Sequence, residues 1–125
     1  MRPVEQERPT IKVFVASGYG RPATLLMLLH GIEEESIPFQ VLEEQKGDAV
    51  ALAWEASHQS RLEVGLGLDH DKLALHFGKL EADHPLFVIS ARSPEEQVRA
   101  IGANAARLVK KLTFKPLERQ EEVNR

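Results

Sequence analysis

Glu63-Val64-Gly65-Leu66-Gly67-Leu68-Asp69-His70-Asp71-Lys72-Leu73-Ala74-Leu75-His76-Phe77 decides the fold. Residues 63–68 alternate as a strand does, and 72–77 form a second strand-like run. The polar connection Asp69-His70-Asp71 is too short for a crossover. The two strands must therefore pair antiparallel, as a hairpin. Everything N-terminal to this hairpin reads differently. Ile11–Ala16 is a β-branched strand ending in the turn Ser17-Gly18-Tyr19-Gly20. Pro22 suits the first turn of a helix over Ala23–Glu35. That helix is so apolar (Leu25, Leu26, Met27, Leu28, Leu29, Ile32) that it is expected to be covered on more than one side. Ser36-Ile37-Pro38 stops it. Phe39–Leu42 reads as a strand. Asp48 is an N-cap for a short helix over Ala49–Ala56, with Val50, Ala53 and Trp54 inward and Ser57–Ser60 as linker.

C-terminal to the hairpin, Pro85–Ser90 is a continuous apolar strand, which implies a central or near-central place in the sheet. Ser93-Pro94-Glu95-Glu96 then opens the clearest helix, with Ser93 as N-cap in a capping box. Val98, Ile101, Ala105, Leu108, Val109 and Leu112 mark its apolar stripe. Lys110 and Lys111 suit its negative end. The order β-α-β-α-β-β-β-α, with one hairpin among strand–helix alternations, predicts an α/β class fold. We expect a three-layer α/β/α sandwich on a mixed five-stranded sheet whose fourth strand is antiparallel. Residues 1–10 read as a flexible arm, 11–113 as one domain and 114–125 as a polar tail that frays.

Composition narrows the chemistry. The chain has 125 residues, a net charge of −3 and no cysteine. It is too weakly basic to bind nucleic acid by bulk electrostatics. Zero cysteines exclude thiolate catalysis, disulfides and zinc ribbons. No apolar run approaches the length that spans a bilayer, and the N-terminus lacks a signal-peptide core. The expectation is a soluble cytoplasmic protein.

Few residues offer chemistry. Gly18-Tyr19-Gly20 sits where phosphate loops sit, but position 23 is Ala and Pro22 lacks an N–H. A tight strand-to-helix turn is the simpler reading. Gly65 and Gly67 point to close packing of a helix on the strand. Asp69, His70, Asp71 and His76 resemble a metal cluster on paper, yet turn residues look the same. His30 is expected to be partly buried and satisfied. No nucleophile–base pair or nucleophile elbow is present, so no catalytic residue and no cofactor-binding residue is assigned. Glu33-Glu34-Glu35 stands out, because carboxylates at a helix C-terminus face the negative end of the dipole. A solvated charge cluster explains them, and so does a cation or a basic partner. One carboxylate cannot hold Mg²⁺ or Ca²⁺ alone.

Four segments carry a family resemblance. Gly31-Ile32-Glu33-Glu34-Glu35-Ser36-Ile37-Pro38 resembles the G-[LI]-E-E-x-x-[VI]-P segment of the small subunit of glycerol/diol dehydratase reactivase. Val64–Leu68 resembles that family's V-G-[IL]-G-[LV] strand, and Leu73–His76 the strand that follows it. Gly102–Lys110 resembles its G-x-N-A-x-x-L-V-K helix. The similarity spans about residues 11–112. It implies the same α/β/α fold, similar to anticodon-binding domains. It also implies a non-catalytic subunit of a chaperone-like reactivating factor, the dehydratase reactivase. Two copies pair with two copies of a large ATPase subunit, which hydrolyses ATP. The target is a coenzyme B12-dependent dehydratase, from which damaged cobalamin is released by subunit swapping. At the position of Glu34 the family carries a metal ligand, with Mg²⁺ or Ca²⁺ shared at the interface and completed by the partner subunit. The implied location is cytoplasmic, with microcompartment association open. Gly102 implies close helix packing and Asn104 a bond to a neighbouring loop. Two other readings stay open: a dehydratase medium subunit, and a stand-alone domain binding a small ligand or nucleotide at Gly18–Pro22.

Overall fold

The computed structural model describes residues 8–117. Of the expected arm and tail, residues 1–7 and 118–125 lie outside the described residues. The elements are β1 (Ile11–Ala16), α1 (Pro22–Glu34), β2 (Phe39–Gln45), α2 (Ala49–Gln59), β3 (Val64–Leu68), β4 (Lys72–Phe77), β5 (Phe87–Ser90) and α3 (Glu95–Lys110). The strand order is β2-β1-β3-β4-β5. β1 pairs parallel with β2 and β3, while β4 runs antiparallel to both β3 and β5. The mixed sheet with its fourth strand reversed is as expected.

Side-chain alternation sorts β1 between two layers. Ile11, Val13 and Val15 join Leu28, Ile32, Val98 and Ile101 in the main core under α1 and α3. Phe14 and Ala16 face α2, against Leu52 and Ala56. The layer above α2 is thin for a reason visible in β3. A Cβ on Gly65 would stand 2.2 Å from the Ser57 nitrogen, and one on Gly67 2.2 Å from the Ala49 carbonyl oxygen. The helix backbone lies directly on the strand, so the glycines serve close packing as expected. Small residues predominate along that seam, and Leu52 packs beside it on Phe14 and Ala16. The inner face of α2 is therefore Ala49, Leu52, Ala53, Ala56 and Ser57, whereas Val50 and Trp54 are half-buried at its flanks. The helix also runs on through the expected linker to Gln59. The Ser57 hydroxyl donates to the Trp54 carbonyl oxygen at 2.6 Å, so a buried serine satisfies itself within the helix.

Three further expectations are corrected. β5 is an edge strand, not a central one. Part of its apolar surface is covered by the C-terminal segment, with Phe87 and Phe114 edge to face at 5.3 Å. α1 is covered on one side only: Leu28, Gly31 and Ile32 are buried, Leu26 is 53% exposed, and His30 is exposed. Finally, α3 is capped by Pro94 without a side-chain cap bond. Pro94 has an extended ψ of 152°, so the helix starts one residue late for Ser93 to reach it. The Ser93 N–H instead closes a turn onto the Ser90 carbonyl.

Candidate functional site

The C-terminal end of α1 is set by its contact with α3. Gly31 and Gly102 face each other reciprocally. A Cβ on Gly31 would lie 2.0 Å from the Arg99 carbonyl oxygen, and one on Gly102 2.1 Å from the Leu28 carbonyl oxygen. Two bare backbones therefore touch, and the last turn of α1 is pinned to a rigid neighbour. Close packing at Gly102 was legible; its partner Gly31 was missed. The signal was present, because an interior glycine in an otherwise strong helix former needs a packing reason.

The three carboxylates at this end have different fates. Glu35 is the C-cap residue, and its side chain is only 12% exposed. Its Oε2 accepts from Arg107 Nε at 3.0 Å, and its Oε1 lies 2.9 Å from Lys110 Nζ. The same ammonium donates to the Glu35 backbone carbonyl at 3.0 Å. The Lys110 bond, helped by Arg107, holds the Glu35 carboxyl below its usual range although burial opposes the shift. Crowding of like charge is thus relieved by cations from the last turn of α3. Glu34 is half exposed and has one weak contact, 3.7 Å from Arg99 Nε. Glu33 is exposed. After them Ser36 takes a left-handed φ of 63°, which turns the chain sharply toward Pro38 and leaves the acidic pair on the surface.

As a metal ligand Glu34 offers hard oxygen donors that no strong bond holds back. It belongs to no group of three ligating side chains among the described residues. A cation held at Glu34 would have to take its remaining ligands from outside the described residues. The group that the fold does bring together is Glu81, Asp83 and His84, all exposed on the β4–β5 loop. His84 Nδ1 is already 2.7 Å from Asp83 Oδ1.

The paper cluster Asp69-His70-Asp71-His76 is not a metal site. Asp69 Oδ1 accepts from the Asp71 and Lys72 N–H groups, and Oδ2 from the Ala49 N–H at 2.8 Å. One carboxylate therefore closes the hairpin and caps α2 beside Asp48, which accepts from Ala51. His76 is fully buried. Its Nδ1 accepts from the Phe77 N–H at 3.0 Å and its Nε2 lies 3.1 Å from the Ala82 carbonyl oxygen. With Nδ1 accepting, Nε2 is the donor to the Ala82 carbonyl, and both ring nitrogens are engaged within the chain.

Asn104 bonds a neighbouring segment, as expected. It is fully buried in α3. Its amide donates to the Lys115 carbonyl at 3.1 Å and its oxygen accepts from the Lys115 N–H at 2.6 Å. Arg107 adds a bond to the Thr113 carbonyl. The start of the tail, up to Leu117, is thereby fastened to the domain and packs on its core, although its polarity suggested fraying.

The fold and these segments recur in known proteins. Residues 8–115 match the model of the dehydratase medium subunit family. The chain is 39% identical over 107 residues to the propanediol dehydratase-reactivating factor small subunit of Citrobacter freundii, covering 86% of this chain and 90% of that one. Among solved structures it resembles a chain of the diol dehydratase-reactivating factor complexed with ADP and Mg²⁺. The TM-score is 0.81 at 37% identity, covering 87% of this chain and 99% of that chain. It also resembles a chain of glycerol dehydratase reactivase, with a TM-score of 0.83 at 33% identity over 87% of this chain and 98% of that chain. Match lengths and identities of this size extend well beyond a shared fold: the chain belongs to the dehydratase medium subunit family.

Proposed function

We propose that this chain is the small, non-catalytic subunit of a reactivating factor for a coenzyme B12-dependent diol or glycerol dehydratase. The observation that carries the reading is the exposed Glu33–Glu34 pair. It is held rigidly at the wrong end of a helix dipole, in a chain similar over most of its length to reactivating-factor small subunits. In this reading Glu34 supplies one ligand to Mg²⁺ or Ca²⁺ at the contact with a large ATPase subunit, which completes the coordination shell. The ion displaces the weak Arg99 contact and offsets the helix-end charge. Two small and two large subunits assemble, and ATP hydrolysis belongs to the large one. Membership of the medium-subunit family supports exchange: a small subunit built like the dehydratase's own medium subunit takes its place and lets damaged cobalamin leave. The complex works in the cytoplasm, or inside a microcompartment that encloses the dehydratase.

Co-purification with the large ATPase subunit tests this. Glu34→Ala and Glu34→Gln are each expected to weaken the complex, and chelation to weaken the wild type to the level of the variants. A complex unchanged by both substitution and chelator removes the metal role. A chain that restores a dehydratase core, and not the ATPase complex, is a medium subunit instead.

A further inference from the structure

The three carboxylates that close α1 are held to different degrees, and Glu34 is the one held reversibly. Glu35 is locked by two close cations. Glu33 is exposed. Glu34 faces Arg99, whose Nε lies 3.7 Å from its Oε2, and both side chains are nearly half exposed. That distance is too long for a hydrogen bond. It is a charge contact open to water, weak enough for a divalent cation to displace.

The backbone, more than its own long side chain, places Arg99 there. Its carbonyl oxygen fills the space that a Cβ on Gly31 would need. The glycine seam therefore fixes the Arg99 main chain against α1, three residues before Glu34. Among the described residues Arg99 has no other ion pair and no side-chain hydrogen bond. Glu95, exposed, stands four residues earlier on α3, at the spacing that lets helical side chains meet. The guanidinium thus has one acceptor on each helix within reach, and in the free chain it takes the one on α1.

We propose that Arg99 is a latch on Glu34, a positioning residue that holds the carboxylate against α3 until a divalent cation takes it. This rests on the reading of Glu34 as a ligand at the contact with the large subunit. Arg99 and the cation compete for the same carboxylate oxygens, and a cation on Glu34 stands close enough to the guanidinium to be repelled by it. The free subunit keeps Glu34 neutralised by its own arginine. One carboxylate does not hold the ion alone, so the exchange happens when the partner's ligands arrive with it. The released guanidinium then turns to Glu95. The latch sets how much divalent cation the complex needs, and leaves the complex formed at saturating cation unchanged.

The test follows complex formation between the full chain and the large subunit across a titration of Mg²⁺ and, separately, of Ca²⁺. Arg99→Gln keeps most of the side chain and removes its charge. It is expected to lower the half-saturating cation concentration by roughly two- to fivefold, the range for a half-exposed ion pair. Arg99→Lys keeps the charge and should return that concentration toward the wild-type value. The shift should shrink as ionic strength rises, because an exposed pair is screened. A merely structural role for Arg99 would move the urea midpoint and leave the cation requirement where it was. If Glu34→Gln weakens the complex while Arg99→Gln leaves the cation requirement equal to or above that of wild type, the latch alone is overturned. If Glu34→Gln keeps both the complex and its cation dependence, the reading on which the latch rests falls with it.

Discussion

Helices α1 and α3 lie side by side on one face of the sheet and touch through reciprocal glycines, but their charges follow opposite logic. α3 has Glu95 and Glu96 in its first turn and Arg107 and Lys110 in its last, each on the favourable side of the dipole. Its C-cap is a left-handed Lys111 whose N–H reaches back to the helix carbonyls. α1 has an arginine at its start and carboxylates at its end, with no acid in the first turn and no base in the last. α3 is also the more amphipathic, with a polar outer face, whereas α1 leaves Leu26 in water. The difference separates an element whose end charges are satisfied within the chain from one whose end charges, on the proposed reading, are met by a partner. The proposed cation ligand, Glu34, falls on the end of α1, and none falls on α3.

The seam the two helices share is where the comparison is most easily broken. Gly102→Ala raises intrinsic helix propensity by about 1 kcal/mol. Against that, the new methyl would stand 2.1 Å from the Leu28 carbonyl oxygen, which is backbone and cannot swing away. The steric term wins, and a net loss of about 3 kcal/mol or more is expected in urea unfolding. Gly31→Ala should behave alike, from the other side. An unchanged midpoint in either variant means that the helices are not locked together and that the end of α1 is free to move.

This seam also shows what the sequence made legible. The reversed strand followed from a connection too short for a crossover. The glycines of β3 followed from their place in a strand. What failed needed partners distant in sequence. β5 looks central because its apolar run is covered by Phe114, some two dozen residues on. α1 looks buried because nothing in a single helix distinguishes a face awaiting a partner from one covered by its own chain. Ser93 had the composition of a cap and lacked the geometry, which the ψ of Pro94 decided. Among the three acidic residues, position alone could not single out Glu35, since its cations lie 72 and 75 residues away in the sequence.

The Glu35 network joins the last turns of the two helices, and removing its charge tests how far α3 corrects α1. Glu35→Gln leaves Arg107 and Lys110 facing a neutral, nearly buried amide. A loss of about 1–3 kcal/mol at neutral pH is expected from urea midpoints. The pH dependence gives the sign independently. The folded-state carboxyl titrates below its ordinary value of 4.5, so its contribution is fully present above that pH. It is lost as pH falls through the lowered folded value. The gap between wild type and Glu35→Gln should therefore be widest near neutrality and close in acid. A gap that stays constant down through the carboxylate range assigns the loss to packing and removes the ion pair from the comparison.

The smallest effect sharpens the comparison most, because it runs in the opposite direction. If α1 carries the wrong charges for the sake of a partner, correcting them should stabilise the isolated chain. Arg21→Asp supplies an N-cap acceptor and reverses the charge at the positive end, for a gain of about 0.5–1 kcal/mol. Glu33→Lys makes the same correction at the other end, for about 0.3–1 kcal/mol. Glu33 is the better choice there, since Glu34 keeps its contact with Arg99. The two sites are separated by most of a 13-residue helix, on the order of 18 Å, so the gains should add. Urea midpoints of the singles and the double decide it, alongside complex formation with the large subunit. Stability gained together with a weakened complex in Glu33→Lys means that the charge at that end serves the partner at the expense of the fold. Stability unchanged in all three means that the helix ends are screened by solvent, and the contrast between α1 and α3 then has no energetic content.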